Sequence, residues 1–153
     1  MPYVDRVLQE GESVRHIARI SWVTYLPGLF LWAVAGVLAG ILPSEAGFYH
    51  YLVLFMAAVI FIVGTVLLAR AWFQRVTTEI AVTDRRIIYK RGFIRRYTVE
   101  MHMDKVESVD VDQTILGRML DYGDVIIHGT GSGLEPLPHV DHPLELRNHI
   151  TAV

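Results

Sequence analysis

The stretch TDRRIIYKRGFIRR, residues 83–96, holds six of the fourteen Lys and Arg residues in the chain. The protein as a whole carries a formal net charge of −2. So dense a group of cations suits contact with an anion. Arg91, Arg95 and Arg96 flank a Gly92-Phe93-Ile94 turn, which predicts a cationic loop tip. At the surface of an anionic membrane each basic residue gains about 1 kcal/mol, and Phe93 and Ile94 would dip into the interface. Two other uses stay open for the same cations. They can pair, within or between subunits, with the ten acids between Glu100 and Glu145, or they can hold a specific anionic ligand.

Other constellations offer less chemistry. Gly129-Thr-Gly131-Ser-Gly133 is rich in glycine but lacks the Lys-Ser/Thr that completes a phosphate loop, so it reads as a turn. His139, His142, His149 and Asp141 are metal-ligand types close in sequence. His139 and His142 straddle a strand-to-helix junction, however, and no fourth ligand stands near. No metal or other cofactor is expected. Asp110-x-Asp112 puts two carboxylates on one strand face, read as solvated. No serine sits in a nucleophile motif, and the absence of cysteine excludes disulfides and thiolate chemistry. The expectation is a protein that is not an enzyme and has no nucleic-acid partner.

The elements that must position these residues divide the chain. Mean hydropathy is +0.36, with 52% hydrophobic residues. No Asp, Glu, Lys or Arg occurs from Ile20 to Ser44, nor from Ala46 to Ala69. Each run exceeds the roughly 20 residues that cross a bilayer core of about 30 Å. Buried helices of a soluble core do not need such length, and a cleaved signal peptide does not fit the charged first twenty residues. Two membrane helices are predicted, about 21–42 and 48–69, with Pro27-Gly28 marking a kink or late start. Arg15 and Arg19 precede the first; Arg70 and Arg75 follow the second. That bias places both ends in the cytoplasm and the Pro43–Gly47 connector outside. Trp22, Tyr25, Trp72 and Phe73 suit one headgroup belt, and Phe48, Tyr49 and Tyr51 the other. Neither span carries a central charge, as transport sites usually do, so the hairpin reads as an anchor. Gly36-Val-Leu-Ala-Gly40 is a small-xxx-small face. It serves either packing against the second helix, the favoured reading, or self-association.

After Arg75 the period becomes two. Segments 78–83, 86–90, 95–102, 105–113, 124–128 and 134–140 alternate like antiparallel strands. Thr114 to Asp121 and Pro143 to Ile150 have helical spacing. Short strands closed by a terminal helix suggest a small barrel plugged at one end. Ile87 and Tyr89 share one strand face, and Arg86, Ile88 and Lys90 the other. Residues 12–20 alternate except at Ile17, consistent with a strand returning to the same barrel.

Several of these segments are similar to the bacterial pleckstrin-homology-like (PH-like) membrane family. They are Thr83-Asp84-Arg85-Arg86-Ile87, Gly92-Phe93, Asp104-Lys105-Val106-Glu107-Ser108-Val109, and Gln113 to Gly123 with its Leu-Gly-Arg-x-Leu-x-Tyr-Gly run. Leu8-Gln9-Glu10-Gly11-Glu12 resembles the family's opening segment. The resemblance implies a membrane α-helical hairpin, residues 21–69, followed by a small α+β domain, residues 76–153. That domain would be a PH-like antiparallel barrel or sandwich capped by a C-terminal helix. Segment 1–20 would be cytoplasmic and add a strand. It further implies a non-enzymatic, multi-pass inner-membrane protein. The expected function is a self-associating scaffold or assembly module, a homo-oligomer with room for an unknown membrane protein partner. The alternative is a lipid-sensing or regulatory module using Arg91, Phe93, Arg95 and Arg96 on anionic headgroups. Eukaryotic PH domains read phosphoinositides with a basic hairpin, but their Lys-x-Arg arrangement is missing here.

Overall fold

The computed structural model describes residues 7–41, 47–92, 97–130 and 136–152. It divides into two compact units: Thr24–Phe73, and Met1–Val23 together with Gln74–Val153.

In the first unit a 3-10 turn at Trp22–Tyr25 leads into helix α1, Leu26–Gly40, with Pro27 in its opening turn. Proline's fixed φ and missing N–H suit that position, so Pro27 marks a late helix start. Helix α2 runs from Phe48 to Thr77. Arg70 and Arg75 therefore lie on its final turns and do not follow it. Burial on the two helices falls on small residues seven apart: Gly28 and Ala35 on α1; Ala57, Gly64 and Ala71 on α2. A seven-residue repeat keeps one seam facing a partner helix. At its tightest point a Cβ on Gly64 would stand 3.1 Å from the Gly28 carbonyl oxygen and 2.8 Å from Trp32 Cδ1. Trp32 stacks on Phe61 at 5.2 Å and donates its indole N–H to Thr65 Oγ1 at 3.2 Å. Gly36 and Gly40 are off this seam. One residue beyond Ala35 is a turn of about 100°, and a Cβ at either glycine would meet nothing within 4 Å. The favoured reading of that pair as packing against the second helix is thus corrected: Gly28 and Gly64 make the close approach.

Among the described residues the second unit contains seven strands. The first sheet has the order β1 (Val14–Ala18), β2 (Glu79–Thr83), β3 (Arg86–Arg91), β4 (Tyr97–His102); the second has β5 (Val106–Asp112), β6 (Tyr122–Gly129), β7 (Leu137–Asp141), all antiparallel. Helix α3 spans Ile115–Met119, and α4 spans Pro143–Thr151. The sheets sandwich one core. Ile80, Val82, Ile87, Tyr89 and Met101 come from the first sheet, Val125, Ile127, Leu137 and Val140 from the second, and Leu146 and Ile150 from α4. Behind β1 the chain runs along β7: Ile20 bridges Val140, and Ser21 N–H donates to the His139 carbonyl at 2.7 Å. Among the described residues β4 and β5 belong to separate sheets. The expected barrel is consequently an open sandwich.

Both faces of β2 and β3 are covered. Ile80, Val82, Ile87 and Tyr89 face the main core, while Ala81 and Ile88 meet Leu8 and Val14 on the other side. Ile17, which breaks the alternation of β1, is 47% exposed, and the β1–β2 register shifts between Val14 and His16.

Candidate functional site

The turn between β2 and β3 is built by Thr83. Its hydroxyl oxygen accepts the N–H groups of Arg85 and Arg86 at 3.2 and 3.0 Å and donates to Glu12 Oε1 at 2.7 Å. Asp84 Oδ1 accepts the Ser13 N–H at 3.0 Å, and the Asp84 N–H donates to the Ser13 carbonyl at 3.1 Å. Glu12 is delivered by a turn whose Gly11 has φ of 80°, a left-handed conformation cheap only for glycine.

Arg86 then fills the space between. Its Nε and Nη2 grip Glu12 Oε1 and Oε2 at 2.9 and 2.8 Å, Nη1 reaches Glu100 Oε2 at 2.7 Å, and Nη2 also donates to the Val7 carbonyl at 2.9 Å. Such a fork-to-fork pair is strong and orientation-specific. The Glu12 side chain is fully covered, and that of Arg86 is 8% exposed. Burial pushes the Glu12 carboxyl up. The Arg86 hydrogen bonds, the Gln9 N–H, the Thr83 hydroxyl and the Arg86 charge outweigh it and hold the group at about 2.

The basic tract is therefore not one patch. Arg86 is an interior residue. Lys90 Nζ lies 3.9 Å from Glu79 Oε1. Arg91, at the end of β3, is exposed beside Gly92, whose φ is 89°. Phe93, Arg95 and Arg96 lie outside the described residues, so the expected loop-tip cluster is represented by Arg91 alone. Charge pairing does occur, but Glu12 and Glu79 precede the tract, and among the described residues Glu100 is its one ion-pair partner from the acidic segment.

The second notable surface is α3. Thr114 caps it by accepting the Gly117 N–H at 3.0 Å. Gly117 and Gly123 allow backbone to touch backbone: a Cβ would stand 2.6 Å from the Tyr122 carbonyl oxygen and 2.7 Å from that of Asp112, respectively. Gln113 Nε2 donates to the same Tyr122 carbonyl at 3.1 Å. The short helix is thus pinned to the β5–β6 hairpin with its apolar side chains outward. Ile115 is 81% exposed and Met119 76%, with Leu116 and Leu120 beside them. Sequence spacing shows the helix but not its display. An open cleft of about 470 Å³ lies between β5 and α4, lined by Met103, Asp104, Val106, Glu107, Val109 and Ile150.

The histidines separate. His142, left-handed at φ 48°, pairs its Nδ1 with Asp121. That hydrogen bond, with Asp141 nearby, raises its pKa above the usual imidazole value. His139 stacks on Tyr122, and its N–H donates to Asp124 Oδ1 at 2.7 Å. His149 meets neither; it stacks on His16 of β1 at 4.5 Å. Burial, and then the facing His149, lowers the His16 pKa. Asp110 pairs with His128 at 3.0 Å on an exposed strand face. Gly131 and Gly133 of the glycine-rich turn are outside the described residues.

Two packed antiparallel sheets with a terminal helix completing the core make the fold of a small PH-like domain. The chain belongs to the bacterial PH domain family, whose model matches residues 17–153. PH domains are generally non-catalytic binding modules, and PH-like domains commonly bind lipids or proteins. No curated protein and no solved structure matches the chain.

Proposed function

We propose that this protein is a membrane-anchored, non-enzymatic assembly module that self-associates in the bacterial inner membrane, with both ends in the cytoplasm. Uncovered apolar surface carries the reading. Trp22–Gly40, counting the 3-10 turn with α1, and Phe48–Thr77 are long and apolar enough to span a membrane, and little of either is buried. Phe30, Phe55 and Ile62 are all more than 60% exposed. Surface of this kind and extent calls for lipid or protein cover. The pairing of β1 with β2 supports an even number of crossings, because the hairpin lies between them in sequence. The arginines at its flanks support the cytoplasmic side.

Self-association draws on two features. The Gly36/Gly40 face is small, apolar and unoccupied by α2, and small-xxx-small faces let a second helix approach closely. The α3 side chains supply an apolar contact outside the spans. Native mass spectrometry of the full chain in mild detergent tests this. A discrete oligomer is expected, weakened by Gly36→Leu with Gly40→Leu or by Ile115→Ser with Met119→Ser. A single monomeric species would remove the assembly reading.

Arg91 favours a second reading, in which the β3–β4 turn senses anionic lipid. Hydrogen exchange at that turn in nanodiscs tests it. Slower exchange with anionic than with zwitterionic lipid is expected, and the difference should vanish in Arg91→Ala, Arg95→Ala, Arg96→Ala. Equal exchange in both lipids would remove the reading.

A further inference from the structure

We propose that His16, Glu145 and His149 bind a divalent transition-metal ion, Zn²⁺ by the chemistry of the donors, and that the ion staples the N-terminal strand to the C-terminal helix. Each residue offers one ligand atom, and the three atoms lie within 4.8 Å of one another. His16 comes from β1; Glu145 and His149 come from α4, four residues apart and so on one helix face. Two imidazoles and a carboxylate are a known donor set for four-coordinate zinc, with water completing the shell.

One detail of geometry goes beyond proximity. The Nδ1 of His149 is 2.9 Å from the Glu145 carbonyl oxygen. A carbonyl only accepts, so Nδ1 carries the proton and Nε2 keeps its lone pair. Metal-ligating imidazoles are commonly fixed by such an outer hydrogen bond to a backbone carbonyl. The His16 and His149 rings are stacked, with centroids 4.5 Å apart, so one imidazole must turn about its side-chain torsions to aim its lone pair at a shared ion. His139 and His142, with acid partners of their own, do not belong to this set.

The test uses untagged full-length protein in detergent, stripped with a chelator and titrated with Co²⁺, then with Zn²⁺. Visible d–d bands saturating at one Co²⁺ per chain and displaced by Zn²⁺ are expected, together with a rise in Tm on adding Zn²⁺. Glu145→Gln and His149→Gln should each weaken Zn²⁺ binding by on the order of 10-fold or more. Glu145 is exposed, so its variant should keep the metal-free Tm of the parent and separate lost ligation from lost folding. His139→Gln should bind as the parent does. Failure to saturate with either ion at micromolar concentration would overturn the site. So would binding that survives both Glu145→Gln and His149→Gln.

Discussion

At the scale of single residues, Arg86 decides what the cationic tract is for. It sits on the far side of β3 from Ile87 and Tyr89, as alternation requires, yet it too is buried because the segment around Glu12 lies over it. Removing one member of a buried pair strands the other without water or partner, a loss of about 3–5 kcal/mol. Arg86→Met should therefore lower the Tm of the detergent-solubilised chain sharply. Arg86→Lys should recover only part of it, because a single ammonium cannot span both oxygens of Glu12 as the guanidinium does. The same pair gives an acid dependence. The carboxyl of Glu12 is held at about 2 in the folded chain against an ordinary 4.5. The unfolded chain therefore binds the proton first as pH falls. Stability from this group is whole above about pH 4.5 and drains away toward pH 2. Melting curves across that window should show the loss, and Glu12→Gln should flatten it. Sequence alone exposes the density of cations but not this use, because Glu12 lies 74 residues upstream of Arg86. The acids from Glu100 to Glu145 were the expected partners, and among the described residues Arg86 pairs with Glu100 of that segment.

At the scale of elements, periodicity carries most of what can be read from the chain. Alternation fixes the strands after Thr77, since a half-buried strand must repeat every two residues. Helical spacing fixes α3 and α4 for the corresponding reason. Closure of the barrel was not legible: whether β4 meets β5 depends on how two separate sheets approach, and no local pattern encodes that. The helical hairpin shows the same limit. Gly36 and Gly40 make the familiar spacing of four, whereas the seam uses small residues seven apart on both helices. Those are visible only once the two registers are set side by side. The two sets of glycines should separate in experiment. Gly64→Leu forces a side chain against Trp32 and the Gly28 backbone, and overpacking of this kind costs about 1–3 kcal/mol. Its Tm should fall in the monomer. Gly36→Leu should leave monomer stability unchanged and act only on assembly.

At the scale of the whole molecule, the compact sheet unit is interrupted in sequence by the apolar hairpin. Among the described residues, its first strand precedes the hairpin and the other six follow. The proposed anchoring then predicts one topology. Reporters fused before Met1 and after Val153 should both be active in the cytoplasm and silent in the periplasm. A periplasmic signal from either end would sink the proposed orientation. The interruption also sets an order of events on the ribosome. On the proposed anchoring, β1 leaves the exit tunnel first and has no sheet to join until both apolar segments have entered the bilayer and β2 has been translated. A nascent chain that threads only one segment leaves β1 on the wrong side of the bilayer from every strand it needs. Such a product would expose Ala81 and Ile88 without their cover and leave Arg86 without Glu12. On the proposed anchoring, completion of the sandwich would act as a proofreading step for membrane threading.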